Sequence, residues 1–314
     1  MTETTRHLVL GGGYLGSQTA DALTDLQDSQ VTVGYHHLAR WSAEVGHVGV
    51  EVDMHDPETV RVAVAECEPH SIVLAMGAPA VKNGVKLYDS LGRTLEGLKN
   101  SKLEHLSHLV FIGSARQLDV AVLEEGKPIS EAAPMVCGTD SDGAFKTQQA
   151  KEVLEFGEAF GIDTAVGVMC NPVGGPARNG ITMPKYQLLP LIMEKIQNQE
   201  PINLNSDSRG YFYAPDAGVA IARLADPTTK LHYDYYNVGP AEAASNQQVI
   251  DYMLSCMAQY EQWQDLAPDI NTKPDRQPYP DHVDTNRLAN LGWQPTADWR
   301  RGVEEFVAQN AVQC

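Results

Sequence analysis

The chain has 314 residues and a formal net charge of −18, from 41 acidic and 23 basic side chains, which argues against nucleic acid or an anionic membrane surface as a partner. Its 43% hydrophobic and 7% aromatic content is ordinary for an α/β protein. No apolar run approaches the roughly 20 residues that a membrane span needs, and the polar N-terminus predicts no signal peptide. The five cysteines have no spacing typical of a metal site or of disulfide bonds. We therefore expect a cytoplasmic protein without a metal site.

The first predicted element is a short apolar strand over residues 6–10, which runs directly into a Gly-Gly-Gly-Tyr-Leu-Gly loop. A helical pattern then begins at Ser17. Three spaced glycines of the loop fit G-x-G-x-x-G, which permits a tight turn and a close approach of the backbone to a pyrophosphate at the helix N-terminus. The loop residues expected to hold a dinucleotide are Gly11, Gly13, Tyr14, Leu15 and Gly16.

The second predicted strand, over residues 30–34, is followed by a tyrosine and two histidines instead of an acidic residue. A carboxylate at this position would bind the ribose hydroxyls of NAD and repel a 2′-phosphate. Its absence favours NADP(H), with His36, His37 and Arg40 as contacts for the phosphate. The alternative is that these three side chains only lie on the surface of a loop.

Further apolar strands are predicted over residues 50–54, 71–77 and 109–112, and they alternate with helical segments. This alternation predicts an α/β fold with a doubly wound parallel sheet of the Rossmann type. The ends of the first two of these strands would extend the cofactor site from the adenine to the nicotinamide ribose. The residues expected there are Asp53, Met54, Ala75, Met76 and Gly77.

Several short motifs then follow in order along nearly the whole chain. They lie at residues 111–115, 142–146, 171–176, 209–216, 236–239 and 284–295. In this order they resemble the motifs of the extended short-chain dehydrogenase/reductases, the NAD-dependent epimerase/dehydratase group. The resemblance implies a dinucleotide-binding domain over residues 1–170. It also implies a smaller, mainly substrate-binding lobe over residues 171–314, from which strands and helices return to the core.

The same resemblance implies which residues act on the substrate. Ser114 is similar to the family's active-site serine, which orients the substrate oxygen, and Lys146 to the lysine of Tyr-x-x-x-Lys, which holds the ribose. The tyrosine that transfers the proton is replaced by Asp142. A carboxylate can take this role when burial raises its pKa, but beside Lys146 it would more readily form an ion pair and stay charged. A solvated residue at a helix start is the third alternative.

Other groups are candidates for the missing proton donor, although each of them is more often a packing or surface residue. They are Tyr88, Cys137, Tyr186, Tyr211 and Tyr213. After Ser114, the sequence Ala-Arg-Gln replaces the Asp-Glu pair of the family's dehydratases, which argues against dehydration.

The second half of the chain implies a substrate by resemblance, often a nucleotide-linked sugar in this family. Asn171 and Arg209 occupy positions similar to those that contact its diphosphate, and Arg276 is a third candidate, since arginine forms paired hydrogen bonds with phosphate. A surface ion pair is the alternative for Arg209. Residues 203–208 lack the glycine-rich turn usual before this arginine, so a smaller carbonyl compound stays open as the substrate.

Two functions from different classes follow. The leading hypothesis is an NADP(H)-dependent oxidoreductase or epimerase-like enzyme with a non-standard proton donor. The rival is a catalytically inactive dinucleotide-binding sensor or regulatory subunit, favoured by the absent tyrosine. By analogy with the family, the helices at residues 91–98 and 147–160 would pair across a homodimer.

Overall fold

A computed structural model describes most of the chain. The described residues are 4–36, 46–76, 81–82, 85–86, 90–119, 127–137, 142–205, 207–264, 268–273 and 281–312. Within these ranges, no helix combines the length and the apolar character needed to cross a membrane. The strands, in chain order, are β1 (Thr5–Leu10), β2 (Ser29–Tyr35), β3 (Val48–Glu51), β4 (Ser71–Leu74), β5 (Val81–Lys82), β6 (Val85–Lys86), β7 (His108–Ile112), β8 (Asp163–Met169), β9 (Asn171–Val173), β10 (Ile202–Asn205), β11 (Ser208–Arg209), β12 (Tyr211–Tyr213), β13 (Tyr235–Val238), β14 (Ala244–Ser245) and β15 (Ile270–Lys273).

Helices of 5 to 19 residues connect many of these strands. They are α1 (Tyr14–Thr24), α2 (Pro57–Cys67), α3 (Ser90–Lys99), α4 (Asp142–Phe160), α5 (Leu188–Gln197), α6 (Ala214–Ala225), α7 (Asn246–Met257), α8 (Asn286–Asn290) and α9 (Trp299–Val312). A short 3₁₀ helix, Ala115–Gln117, follows β7.

The central sheet has the order β13-β8-β7-β4-β1-β2-β3 within the described residues, and every neighbouring pair is parallel. Strands β4 and β7 are buried along their whole length, as expected for a parallel sheet covered by helices. The chain moves outward from β1 through β2 to β3 and then returns to place β4 on the other side of β1. This reversal confirms the predicted doubly wound α/β fold, and it opens a crevice at the carboxyl ends of β1 and β4.

A second hydrophobic cluster lies in the C-terminal half and is built mainly on α5, α7 and α9. Tyr14, the first residue of α1, is buried in this cluster. Its hydroxyl donates a hydrogen bond to the carbonyl oxygen of Gly175 at 3.1 Å. The glycine loop is thereby attached to the second half of the chain. Strand β13 and helix α6 return to the central sheet, whereas the division of domains at residue 170 stays a prediction.

Some predicted boundaries are wrong. Helix α1 begins at Tyr14 and not at Ser17, because packing of Tyr14 in the second core holds the first turn in place. The third strand covers Val48–Glu51 and not residues 50–54, because β2 pairs with it only as far as Tyr35. The strand predicted at 71–77 ends at Leu74. Helix α4 starts five residues earlier than the predicted 147–160, so Asp142 is a helix-start residue.

Candidate active site

A cavity of about 490 Å³ lies at the crevice of the central sheet. It brings together residues from the glycine loop, from the end of β4, from the segment after β7, from α4 and from the end of β8. The predicted site residues in its wall are Gly13, Tyr14, Leu15, Gly16, Ala75, Met76, Ser114, Asp142, Lys146 and Asn171. Residues that sequence patterns place far apart thus share one surface.

Two glycines of the loop motif lie against backbone, and the third has open space around it. Gly11 has φ +113°, and a Cβ atom there would lie 2.4 Å from the carbonyl oxygen of Ala75. A Cβ atom on Gly16 would lie 1.9 Å from the carbonyl oxygen of Gly11. Around Gly13, by contrast, a Cβ atom would meet nothing within 4 Å. The loop is therefore closed on its inner side by backbone and open at Gly13.

Gly13 is also the N-cap of α1, and no side chain caps the helix there. The first N–H groups of an α-helix have no acceptor within the helix, and together with the helix dipole they favour a negatively charged group. The residues present therefore fit the pyrophosphate of a dinucleotide at the mouth of this loop.

The ends of β2 and β3 form the edge of the site where an adenosine would lie. Tyr35 is buried, and its ring lies so close to Gly12 that a Cβ atom on Gly12 would be 2.1 Å from it. His36 follows on the surface, with Nδ1 3.9 Å from a carboxylate oxygen of Asp53. Met54, the residue after Asp53, packs against the main hydrophobic core. Of the other predicted cofactor contacts, His37, Arg40 and Gly77 lie outside the described residues.

Tyr35 is a residue whose position sequence reasoning missed. Its hydroxyl is hydrogen-bonded to His47 at 3.0 Å and accepts a bond from the side-chain amide of Asn179 at 2.9 Å. The same amide donates to the Ser17 hydroxyl in α1 at 2.9 Å. The position that would carry an acidic residue for NAD thus holds a buried phenol that connects the glycine helix to the segment after β9.

Lys146 is the buried cation of the cavity, with 6% of the residue exposed. Its ammonium donates a hydrogen bond to the carbonyl oxygen of Met76 at 3.1 Å and lies 4.8 Å from the centre of the Phe111 ring. Burial lowers the pKa of Lys146 from 10.5 to about 8, because the charged form loses its hydration. In the described part of the chain, no carboxylate forms an ion pair with it.

Ser114 lies at the carboxyl end of β7 and caps the 3₁₀ helix that follows. Its hydroxyl oxygen accepts a hydrogen bond from the backbone N–H of Arg116 at 3.3 Å. Its own N–H donates to the side chain of Gln117 at 2.7 Å, which completes a capping box. The serine is therefore held by local bonds, with its side chain in the wall of the cavity.

Asp142 forms an ion pair, but with Arg116 and not with Lys146 as the sequence suggested. The guanidinium Nη1 lies 3.2 Å from Asp142 Oδ2, and about half of each side chain is exposed, 49% and 52%. The pairing is possible because Gly143 lets α4 approach the carbonyl of Arg116, where a Cβ atom would lie only 1.9 Å from the oxygen. Arg116 is a second site residue whose place in the cavity wall the sequence motifs did not reveal.

A smaller cavity of about 270 Å³ continues from the first towards the second hydrophobic cluster. Both cavities are lined by Ser114, Arg116 and Asn171, and the smaller one also by Arg209 and Tyr211. The side-chain nitrogen of Asn171 is buried without a hydrogen-bond partner. Such an atom is costly unless a ligand satisfies it.

Arg209 forms an ion pair with Asp207, as its alternative interpretation expected, but the pair is not on the surface: 25% and 6% of the two side chains are exposed. Its Nη2 and Nε lie 2.7 Å and 3.0 Å from Asp207 Oδ2, and the other oxygen of Asp207 accepts a bond from Asn246 at 2.7 Å. The guanidinium is thus oriented at the edge of the smaller cavity. Arg276, the third predicted contact, lies outside the described residues.

The alternative proton donors differ in their access to the cavities. Tyr186 lines both cavities and is 82% exposed. Tyr211 reaches the smaller cavity, but its hydroxyl donates to Asn246. The hydroxyl of Tyr213 donates to Glu305 at 2.7 Å, and Cys137 is exposed. Tyr88 lies outside the described residues.

The sequence model of one family, the NAD dependent epimerase/dehydratase family, matches residues 7–239. The chain belongs to this family. The match runs from β1 through the end of β13, so it covers the whole central sheet and both cavities. A search of curated proteins finds no match.

Solved structures of epimerases share this fold over nearly the full length of both chains. UDP-glucose 4-epimerase from Thermotoga maritima, solved with UDP-glucose, is 17% identical with a TM-score of 0.76 and covers 98% of this chain and 99% of its own. The Thermus thermophilus UDP-glucose 4-epimerase, in complex with NAD, is 20% identical with a TM-score of 0.75 and coverages of 97% and 98%. The Bacillus cereus UDP-glucuronic acid 4-epimerase, in complex with UDP-glucuronic acid and NAD, is 15% identical with a TM-score of 0.75 and coverages of 97% and 99%.

Membership in the epimerase/dehydratase family supports an enzyme that uses a nicotinamide dinucleotide. The structure places Ser114 and Lys146 in the wall of a single cavity, and the family match does not assign them a role. Neither the structure nor the family match says which group takes the proton, since residue 142 is an aspartate where the family has a tyrosine.

Proposed function

We propose that this protein is an NAD(P)-dependent oxidoreductase or epimerase-like enzyme that acts on a nucleotide-linked sugar, with a non-standard proton donor. The observation that carries the proposal is the continuous cleft. The glycine loop and Lys146 line the larger cavity alone, Ser114 and Asn171 line both cavities, and Arg209 lines the smaller one alone. A dinucleotide and a second anionic ligand can therefore meet at Ser114.

Each residue of the cleft then has a definite task. A bound nicotinamide dinucleotide would supply the hydride acceptor and donor. The N-terminus of α1 at Gly13 would hold the pyrophosphate, and Lys146 would hold the nicotinamide ribose. The Ser114 hydroxyl would orient the reacting oxygen of the substrate. Asp142 would take up and return the proton, directly or through a water.

The far end of the cleft is suited to a diphosphate. Helix α5 begins at Leu188, and its N-cap residue Gln187 makes no capping hydrogen bond. Gln187, Leu188 and Leu189 line the smaller cavity together with Asn171 and Arg209. Uncapped N–H groups, an unpartnered amide nitrogen and an oriented guanidinium are the donors that phosphate oxygens require.

NADP(H) is the cofactor that we propose in preference to NAD(H), with His36, His37 and Arg40 near the 2′-phosphate. The support is that β2 ends in a buried Tyr35 and not in a carboxylate. We also propose a homodimer that pairs through α3 and α4, by analogy with the family.

The decisive experiment begins with protein purified without added nucleotide, from which bound dinucleotide is extracted and identified. Titration with NADPH and NADH is followed by fluorescence, and turnover is then measured with UDP-sugars and small carbonyl compounds. We expect NADPH to bind about tenfold more tightly than NADH or better. Gly13→Ala should fold normally, because its Cβ enters open space, but should lose at least about tenfold in dinucleotide affinity.

The catalytic roles are tested with Ser114→Ala and Lys146→Met, each of which should reduce turnover by about 10²-fold or more. Lys151→Met is the matched control, since Lys151 is an exposed lysine on the same helix. Unchanged turnover in both site variants would refute the proposed roles.

A regulatory dinucleotide-binding protein is the second candidate, favoured by the pairing of Asp142 with Arg116. It predicts tight binding of the cofactor, no turnover with any of these compounds, and no gain from Asp142→Tyr. Activity that appears in Asp142→Tyr alone would identify a degenerate enzyme site.

A further inference from the structure

The lining of the cleft has more cations than carboxylates, although the molecule as a whole is acidic. The whole chain carries a formal charge of −18. Among the described residues that line the two connected cavities, the cations are Lys146, Arg116 and Arg209, and the carboxylate is Asp142. Asp142 pairs with Arg116, and the adjoining Asp207 pairs with Arg209. Lys146 has no carboxylate partner among the described residues, so the cations still outnumber the carboxylates, which favours anionic ligands.

The three cations are spread along the cleft and do not form a single cluster. Lys146 lines only the larger cavity, Arg209 lines only the smaller one, and Arg116 lines both. Arg116 therefore lies at the junction, two residues from Ser114. A substrate whose diphosphate is bound at Arg209 would place its reacting sugar at this junction, next to the Arg116 guanidinium.

The backbone of Arg116 is held rigidly, and its side chain already binds a carboxylate. Its N–H donates to Ser114 and its carbonyl is covered by Gly143 at the start of α4. Its guanidinium is paired with Asp142 at 3.2 Å. Half-exposed pairs of this kind contribute only about 0–1 kcal/mol, so a carboxylate on a bound ligand can displace Asp142 or share the guanidinium with it.

We propose that Arg116 is a specificity-determining residue, and that the substrate is a nucleotide-linked sugar with a carboxylate on its reacting ring, a hexuronic acid. This inference rests on the proposed function, because it takes the nucleotide diphosphate to lie at the Arg209 end. Beyond the proposed function, the inference states that the sugar ring of the substrate carries a carboxylate. Without a ligand, Asp142 pairs with the Arg116 guanidinium, and the carboxylate of the bound sugar would take its place.

The test is calorimetric binding to the dinucleotide-loaded protein of UDP-glucuronic acid, UDP-glucose and UDP. The two sugars differ only in a carboxylate against a hydroxymethyl group. We expect UDP-glucuronic acid to bind about tenfold more tightly than UDP-glucose, or better, as a charge-assisted bidentate pair would give. Arg116→Gln should remove this preference and leave the affinities for UDP-glucose and UDP within about twofold.

Two further variants separate this role from a structural one. Asp142→Asn should increase the preference for UDP-glucuronic acid over UDP-glucose, measured as the ratio of the two affinities, because it removes the competing carboxylate. Arg209→Gln should weaken all three ligands by a similar factor, since each carries the diphosphate.

Equal affinities of the wild-type protein for the two sugars, or an undiminished preference in Arg116→Gln, would overturn the inference and leave the proposed function standing. If none of the three UDP ligands binds while a dinucleotide does, the nucleotide-sugar assignment fails and the inference fails with it. If neither dinucleotide nor UDP binds, the proposed function itself is wrong.

Discussion

The charged form of the Lys146 side chain lies in a buried position, where losing its hydration destabilises the folded protein. Burial lowers its pKa from 10.5 to about 8, and a difference of this size corresponds to roughly 3 kcal/mol. This cost remains although the ammonium donates a hydrogen bond to Met76 and lies close to the Phe111 ring. A buried cation with no carboxylate partner in the described part of the chain is typical of a functional site, where stability is given up for chemistry.

We predict that Lys146→Met stabilises the ligand-free protein, by about 1–2 kcal/mol in the free energy of unfolding near neutral pH. The gain should depend on pH. Between pH 8 and 10.5 the unfolded lysine holds its proton while the folded one has released it, so the stability of the wild-type protein rises with pH in this window. The advantage of the variant should therefore be full below about pH 8 and shrink towards pH 10.5. Urea denaturation at several pH values measures it.

Lys151→Met, on the exposed side of the same helix, is the control and should show no such pH dependence. A Lys146→Met protein that is less stable than the wild type at every pH would mean that the hydrogen bond to Met76 outweighs the cost of burial.

Helices α1 and α6 cross at very short range, and this contact holds the glycine loop in position. A Cβ atom on Gly218 of α6 would lie 2.3 Å from the carbonyl oxygen of Gln18 in α1. Because that neighbour is backbone, it cannot rotate away, and one helix would have to move. Helix α1 starts at the dinucleotide loop, so a displacement at Gly218 would reach the cofactor site.

We predict that Gly218→Ala lowers the free energy of unfolding by about 1–3 kcal/mol, although alanine favours a helix over glycine. It should also weaken dinucleotide binding. Val219→Ala, at an exposed position of the same helix, should stay within about 0.5 kcal/mol of the wild type. Thermal unfolding with and without NADPH measures both effects. An unchanged or raised Tm in Gly218→Ala would show that the two helices can separate without cost.

The whole molecule carries an excess of 18 negative charges, and their mutual repulsion is greater in the compact state than in the unfolded one. We predict that NaCl raises the Tm as its concentration increases from about 20 mM to about 300 mM, because the screening length falls well below the size of the molecule. KCl at equal ionic strength should have the same effect if screening is the cause. A Tm that falls with both salts would indicate that the ion pairs, such as that of Arg178 with Asp25, stabilise the fold more than the repulsion destabilises it.

The sequence by itself determined the features that depend on short stretches of chain. The glycine loop needs backbone shapes that only glycine permits, and apolar runs between helical segments specify a parallel sheet. Ser114 and Lys146 could be placed because each lies in a short motif that resembles one of the epimerase/dehydratase family. Their joint presence in one cavity agrees with that placement.

Only the tertiary structure decided which partners these residues have. Asp142 pairs with Arg116, 26 residues away, and Tyr35 with Asn179, 144 residues away. Helix α1 starts three residues early because Tyr14 is hydrogen-bonded to the carbonyl oxygen of Gly175, 161 residues away. Local patterns report backbone preference and amphipathicity, whereas these contacts depend on how distant segments approach each other once the core has packed. The arrangement of charged side chains in the cleft, on which the proposed class of ligand rests, also depends on such contacts between distant segments.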